Sequence, residues 1–292
     1  TLCSWRGVCT ADAAREGHLS EVSGIGAKRR EMLMEIGIEG LAALADADPE
    51  RLALQLERFG EQHGAVAVPL VAQARAQRDG CAEPLAAPPV LPELAEAPGV
   101  LLYDIESDPD ARDDFLHGFV RLPRGLDGRW DPSLATYHPL LALQEHGEGA
   151  CWTRLQRMLR LYPDWPVLHY GETESLALRR MAQRQGIGDG DLMALRRRLV
   201  DVHERLRRHW RLPLNSYGLK TVADWLGFRW GQTGVDGARA LLWWRQWRGT
   251  GPGDRGHVQA LRWIFAYNRD DGMATWAVAA WLLAQDETER KA

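Results

Sequence analysis

The sequence predicts an α/β protein, a mixed sheet flanked by helices and preceded by a small all-α domain. Three observations carry this. Residues 1–80 hold a helical pattern punctuated by glycines, and a Pro/Ala-rich tract interrupts it at 81–98. From residue 99 onward, apolar runs of strand length give way to helices. With 292 residues, the chain has room for a large domain and a second core of its own.

The bulk numbers exclude some classes. A net charge of −4 and a pI near 6.1 argue against a protein that coats nucleic acid by charge alone, while leaving local basic patches open. No stretch approaches the roughly 20 apolar residues of a membrane helix, so no membrane partner is expected. Four irregularly spaced cysteines form no disulfide framework, and no export signal is recognisable, which sets the expectation of a cytoplasmic protein. The chain begins at Thr1 without Met, so upstream sequence is expected. Thirteen tryptophans point to bulky core residues, with base stacking as the alternative.

Taken in order, Cys3 and Cys9 open the chain as either half of a metal or iron-sulfur site or two free thiols. The stretch His18 to Ile38 follows, in which Gly24-Ile25-Gly26 separates a short apolar helix from an amphipathic one. The glycines allow a tight turn that leaves amides at the new helix N-terminus to meet a phosphate, and Lys28, Arg29 and Arg30 add charge. Such a hairpin serves either to grip a nucleic-acid backbone or to pack against a neighbour. Leu52, Leu56, Val66, Leu70 and Val71 extend the helical pattern to about residue 77. The prolines and alanines that follow favour an extended, semi-rigid linker, giving domains at 1–80 and 99–292.

Val100 to Ile105 is an uninterrupted apolar run of the kind found in central strands, and it ends by presenting Asp104 and Glu106 two residues apart. Alternate residues of a strand share a face, so both carboxylates leave the sheet together. Either they are solvated at a strand end, or a hard divalent ion relieves their repulsion. Phe115–Leu122 and Thr136–Leu143 are predicted as neighbouring strands, Ala150–Leu161 as a crossover helix and Pro166–Tyr170 as another strand. Helices are then expected over Ser175–Gln185, Asp191–Trp210, Leu219–Leu226, Asp236–Trp247 and His257–Leu283. Glu174 falls at the N-terminus of the first of these, where active sites of α/β sheets collect. Tyr267 and Asp271, four residues apart on the last, share a helix face. Glu172 and Asp270 are the competing acids beside them. The arginines at 196–198, 205, 207, 208 and 211 are expected mostly on a solvated helix face, with a strand-binding groove as the alternative.

The order of these pieces resembles the tyrosine branch of the DEDD 3′-5′ exonucleases, whose core is ribonuclease H-like. Asp104-Ile-Glu106 matches the Asp-x-Glu of the first motif, and Tyr267 to Asp271 the Tyr-x-x-x-Asp of the third. The second motif normally ends in Asp; here Glu174 stands there, one methylene longer. More narrowly, the chain resembles the ribonuclease H-like domain found behind RecB-type nucleases in bacterial proteins, including its helix-hairpin-helix and the segment Ser216 to Lys220. The resemblance implies a 3′-5′ exonuclease acting on single-stranded DNA ends with two Mg2+ or Mn2+ ions. Asp104, Glu106, Glu174 and Asp271 would hold the ions, and Tyr267 would orient the attacking water. Gly24, Gly26, Lys28 and Arg29 would hold DNA, Lys220 would contact phosphate and Asp201 would stand behind the site. An upstream RecB-type nuclease or helicase segment is an implied partner. A ribonuclease using the same acids, or a non-catalytic docking module of a larger nuclease, are the alternatives.

Overall fold

The structure, a computed structural model, describes residues 6–251 and 253–291. Cys3 lies outside the described residues; Cys9 is exposed. The chain forms two compact units, one of residues up to Ala87 with Arg207–Tyr217, the other of Pro88–Leu206 with the chain from Gly218.

The first unit is helical: α1 (Arg6–Arg15), α2 (Ala27–Glu35), α3 (Leu41–Asp46), α4 (Pro49–Glu57), α5 (Glu61–Gly64) and α6 (Ala67–Asp79), followed by the two-residue strand β1 (Glu83–Pro84). Leu19, Leu33, Leu44, Leu52, Leu56 and Val71 make its core. Asp48 starts α4 by accepting from the Arg51 N–H, with Pro49 preset for the first turn. Residues from far downstream complete this unit. Glu83 and Pro84 pair with Arg211 and Trp210. The Gln73 amide donates to the Leu212 and Leu214 carbonyls at 2.9 and 3.2 Å.

The second unit is built on β2 (Gly99–Asp108), β3 (Asp113–Pro123), β4 (Thr136–Leu141), β5 (Val167–His169) and β6 (Leu199–Asp201), with α7 (Glu148–Leu161), α8 (Glu172–Arg184) and α9 (Asp189–Arg198) between them. The strand order is β4-β3-β2-β5-β6. β3 and β4 run antiparallel to their neighbours, while β5 and β6 join parallel, so the sheet is mixed and β2 is central. After β6 come α10 (Val202–His209), β7 (Trp210–Arg211), α11 (Leu219–Trp225), α12 (Gly237–Gly249) and α13 (Arg255–Lys291). None of the described helices is long and apolar enough to cross a membrane.

The parity of β2 divides its side chains between two layers. Leu101 and Tyr103 enter a core with Leu155 of α7, Leu178 of α8 and Leu195 of α9. The opposite face meets α13. There Gly272 lies against Val120 and Leu102, and a Cβ at this position would sit 3.1 Å from Val120 Cγ2. This glycine lets the helix approach the sheet closely, one residue beyond Asp271.

Two expectations are corrected and one holds in the main. The single helix expected over Asp191–Trp210 is broken by β6, because Val200 is buried beside β5 and Asp201 turns its carboxylate onto the N–H groups of His203 and Glu204, starting a new helix. The arginine run is mostly solvated, as expected, with Arg196, Arg197, Arg207 and Arg208 exposed and three members drawn inward. Arg198 donates to the carbonyls of Leu159, Tyr162 and Trp165, satisfying the end of α7, while Arg205 binds Val90 and Glu93 and Arg211 binds Glu83. Residues 81–98 are not a free linker. Val90, Leu91, Leu94 and Ala97 are buried, and the Val90 N–H donates to Asp286 at 2.8 Å. A proline-rich segment loses little chain entropy on ordering, so a few buried aliphatic side chains suffice to fix it.

Candidate metal centre

The site forms where the end of β2 passes beneath α13. Asp104 and Glu106 leave the same face of the strand, and Asp271 comes down from the helix. Each of the three offers an oxygen, and these oxygens lie within 4.8 Å of one another. Glu106 and Asp271 are buried. Burial is the largest cause raising all three carboxyls above their ordinary range; repulsion from the other acids of the cluster adds to it at Asp104 and Glu106, and from Asp270 at Asp271.

A carboxamide bridges strand and helix. Asn268 donates to Asp104 Oδ2 at 2.7 Å and, at 3.5 Å, to Glu106 Oε1. Its own oxygen accepts from the Tyr137 hydroxyl at 2.9 Å. The space it occupies exists because Gly118, the β3 residue paired with Asp104, has no side chain. A Cβ there would fall 1.6 Å from Asn268 Oδ1. On the helix side the Trp230 indole N–H donates to Asp271 Oδ1 at 2.6 Å, and Tyr267, one turn earlier, hydrogen-bonds the same carboxylate. Lys220 is placed beside this pair, its Nζ 4.8 Å from the Tyr267 ring centroid and 6.0 Å from that of Trp230, while donating to the Val235 carbonyl. Its charge lowers the carboxyls of Glu106 and Asp271 in part. Burial and these acids hold the Tyr267 phenol well above its ordinary range, so it stays protonated.

Glu174 lies in the first turn of α8. It is near enough to raise the carboxyls of Asp104 and Glu106, and burial pushes its own up to about 7, with Asp201 and Asp271 adding to the rise. Its Oε2 is buried without a hydrogen-bond partner. Glu172, the competing acid, is exposed. Asp270, the other competitor, is turned away, accepting from the Gly231 N–H at 2.9 Å and from Arg269. Asp201 does not join the cluster. Its Oδ1 accepts from the N–H groups of Gly171, His203 and Glu204, tying the turn that begins α8 to the start of α10.

The donor set fits a divalent ion. It consists of the carboxylate oxygens of Asp104, Glu106 and Asp271, more like charge than a dry pocket holds without a cation; Glu174, with its buried and unpartnered Oε2, is not among the three that converge within 4.8 Å. The predicted nucleic-acid residues of the hairpin lie in the other unit. Gly24 has φ +89°, Gly26 caps α2 with open space around its Cα, Lys28 is exposed, and Arg29 donates back to the Gly24 carbonyl.

Sequence reasoning overlooked Asn268, Gly118, Tyr137 and Trp230. An isolated glycine in an apolar strand and an asparagine in the middle of a buried helix were available signals for the first two. Tyr137 and Trp230 reach the site only through tertiary packing and left none.

Comparison with known proteins agrees with this architecture. Residues 101–283 match the model of the RNase_H superfamily, and residues 16–62 match that of the SAM-like helix-hairpin-helix tandem. No curated protein and no solved structure matches the chain at a significant level.

Proposed function

The chain belongs to the RNase_H superfamily, and from that premise we infer that it is a metal-dependent 3′-5′ exonuclease hydrolysing phosphodiester bonds at single-stranded DNA ends. The observation that carries this reading is the convergence of Asp104, Glu106 and Asp271 within 4.8 Å; Glu174, whose buried Oε2 has no partner, is near enough to raise the carboxyls of Asp104 and Glu106. Asp104, Glu106, Asp271 and Glu174 would hold two Mg2+ or Mn2+ ions. When bound, such ions lower the pKa of an attacking water and stabilise charge on the phosphoryl oxygens of an in-line displacement.

The chain's own groups set the stage for that chemistry. Asn268 fixes the Asp104 carboxylate by its 2.7 Å hydrogen bond, leaving the other oxygen for an ion. Trp230 holds Asp271 in the same manner. Tyr267 keeps its proton and therefore orients a water by hydrogen bond instead of acting as a base. Lys220, flanked by two aromatic rings, places its positive charge where a phosphate would approach the acids. Asp201 acts through the Gly171 turn, setting the start of the helix that carries Glu174. The hairpin glycines Gly24 and Gly26, with Lys28 and Arg29, hold the DNA backbone without reading sequence.

The test is incubation of the full chain with single-stranded DNA labelled at either end, in Mg2+ or Mn2+. A ladder shortening from the 3′ end, abolished by Asp104→Ala, is the expected result. Hydrolysis of RNA but not DNA would make the protein a ribonuclease using the same side chains. Failure to cut any oligonucleotide with any divalent ion would leave a nucleic-acid-binding module.

A further inference from the structure

The face of α13 that carries the site continues beyond it. Trp263, Tyr267 and Asp271 follow one another at four-residue intervals, so they stand in a row along the helix. From Asp271 to Trp263 the row spans about 12 Å. Its inner members are covered, Tyr267 being 5% exposed, whereas Trp263 is 39% exposed, a large aromatic surface where the row emerges into solvent. Among the described tryptophans Trp225, at 36%, is comparably exposed, but it belongs to α11 and not to this row.

Trp263 is also held in place. Trp243 of α12 lies behind it, with ring centroids 5.2 Å apart and planes inclined by 36°. The Gln232 side chain donates to the Trp263 carbonyl at 3.1 Å, and the same segment carries Trp230, which holds Asp271, and Val235, which receives Lys220. The ring is thus braced by a partner ring and lies on the same rigid helix as the carboxylates. A ring already fixed in orientation loses little side-chain freedom when a flat partner stacks on it.

The geometry points to Trp263, backed by Trp243, as a base-stacking platform for a single strand whose end lies at the carboxylates; the assignment rests on the nuclease reading for where that strand ends. A single strand covers 12 Å in a few nucleotides, so the base meeting Trp263 belongs to the nucleotides just behind the scissile bond. Every base offers a π-face, so the platform is indifferent to sequence, while a base pair would keep its bases stacked on one another and away from the indole. The platform therefore selects unpaired DNA ends and positions the strand through a base, leaving the phosphates to Lys220 and the acids.

The full chain, its Trp263→Ala variant and its Trp263→Phe variant are compared in binding a fluorescein-labelled oligothymidylate in EDTA, read by anisotropy. Trp263→Ala is expected to weaken binding by about tenfold or more, the effect of losing one stacked base, and Trp263→Phe to restore most of it. An abasic residue is then moved stepwise back from the 3′ end. At one position near the end it should cost the wild type the same factor and cost Trp263→Ala nothing. Equal affinity of wild type and Trp263→Ala, or equal losses from the abasic residue in both, would overturn the platform. Cleavage in Mn2+ is scored separately on the same proteins. Trp263-dependent binding without cleavage would sink the nuclease reading and keep the platform, whereas cleavage with no effect of Trp263 would do the reverse.

Discussion

Asp104 and Asn268 show how much of the site hangs on single atoms. The amide reaches the carboxylate only because Gly118 leaves room beneath it. Gly118→Ala is therefore expected to displace Asn268, loosen Asp104 and destabilise the fold by roughly 1–3 kcal/mol, the usual cost of forcing a methyl group into a packed site. Thermal melting would register the stability change, and manganese calorimetry a weaker site; unchanged affinity would mean that Asn268 does not position Asp104. Glu174 shares the pH dependence with Asp104, Glu106 and Asp271, whose carboxyls are raised with it. Its carboxyl is raised from 4.5 to about 7 in the folded, metal-free protein, so the fold holds this proton more tightly than the unfolded chain does. The resulting stabilisation is complete below about pH 4.5 and is lost as pH rises through 7, on the order of 3 kcal/mol in all. The metal-free protein should thus be more stable at pH 5.5 than at pH 8, measured by denaturant titration. Glu174→Gln should flatten that slope, and a steeper slope in the variant would contradict the assignment. Strand parity and helical spacing made the positions of Asp104, Glu106, Tyr267 and Asp271 legible in the sequence. Which of Glu172 and Glu174 turns inward depends on where α8 begins, and that is set by packing.

At the level of elements, the junction of β5, α8, β6 and α10 depends on one side chain. Asp201 Oδ1 accepts three backbone N–H groups, at 2.9 Å from Gly171, 2.9 Å from His203 and 3.2 Å from Glu204. Asp201→Ala removes the cap of α10 and frees the turn before Glu174 together. A loss of about 1–2 kcal/mol is expected from the cap alone. Manganese affinity should fall with it, as calorimetry on the folded variant would report. Stability lost with affinity intact would confine Asp201 to a capping role. The strands β2, β3, β4 and β5 and the helices α7, α12 and α13 were legible, because apolar runs of strand length and 3.6-residue periodicity are strong in each. The short strand β6 was not. Its three residues, Leu199-Val-Asp, fit a helical pattern equally well, and only the edge of β5 selects the extended form.

The whole molecule is less modular than its sequence suggests. The helical unit includes Arg207–Tyr217, a segment that follows the strands of the other unit in sequence. Removing residues 1–80 would strip Leu212, which is fully buried, and Trp210 of their covering. Such a truncation is expected to aggregate, and size-exclusion chromatography showing a well-behaved monomer would argue that the two units separate cleanly. A gentler probe of the hairpin is Lys28→Glu, which should weaken binding to long single strands several-fold while leaving cleavage of short ends unchanged; an equal loss on both would place Lys28 in the cleavage step. The exchange of segments between units was invisible in the sequence, since a two-residue pairing such as Glu83–Pro84 with Trp210–Arg211 has no periodicity to detect. The central claim remains that Asp104, Glu106, Asp271 and Glu174 together hold divalent ions. Anomalous scattering from manganese-soaked crystals tests it most directly. Manganese is expected to be bound by Asp104, with a Glu174 oxygen at about 2.1 Å from an ion, and to be absent in Asp104→Ala; crystals with no anomalous peak at these acids, or with Glu174 still unpartnered beside a bound ion, would contradict the claim.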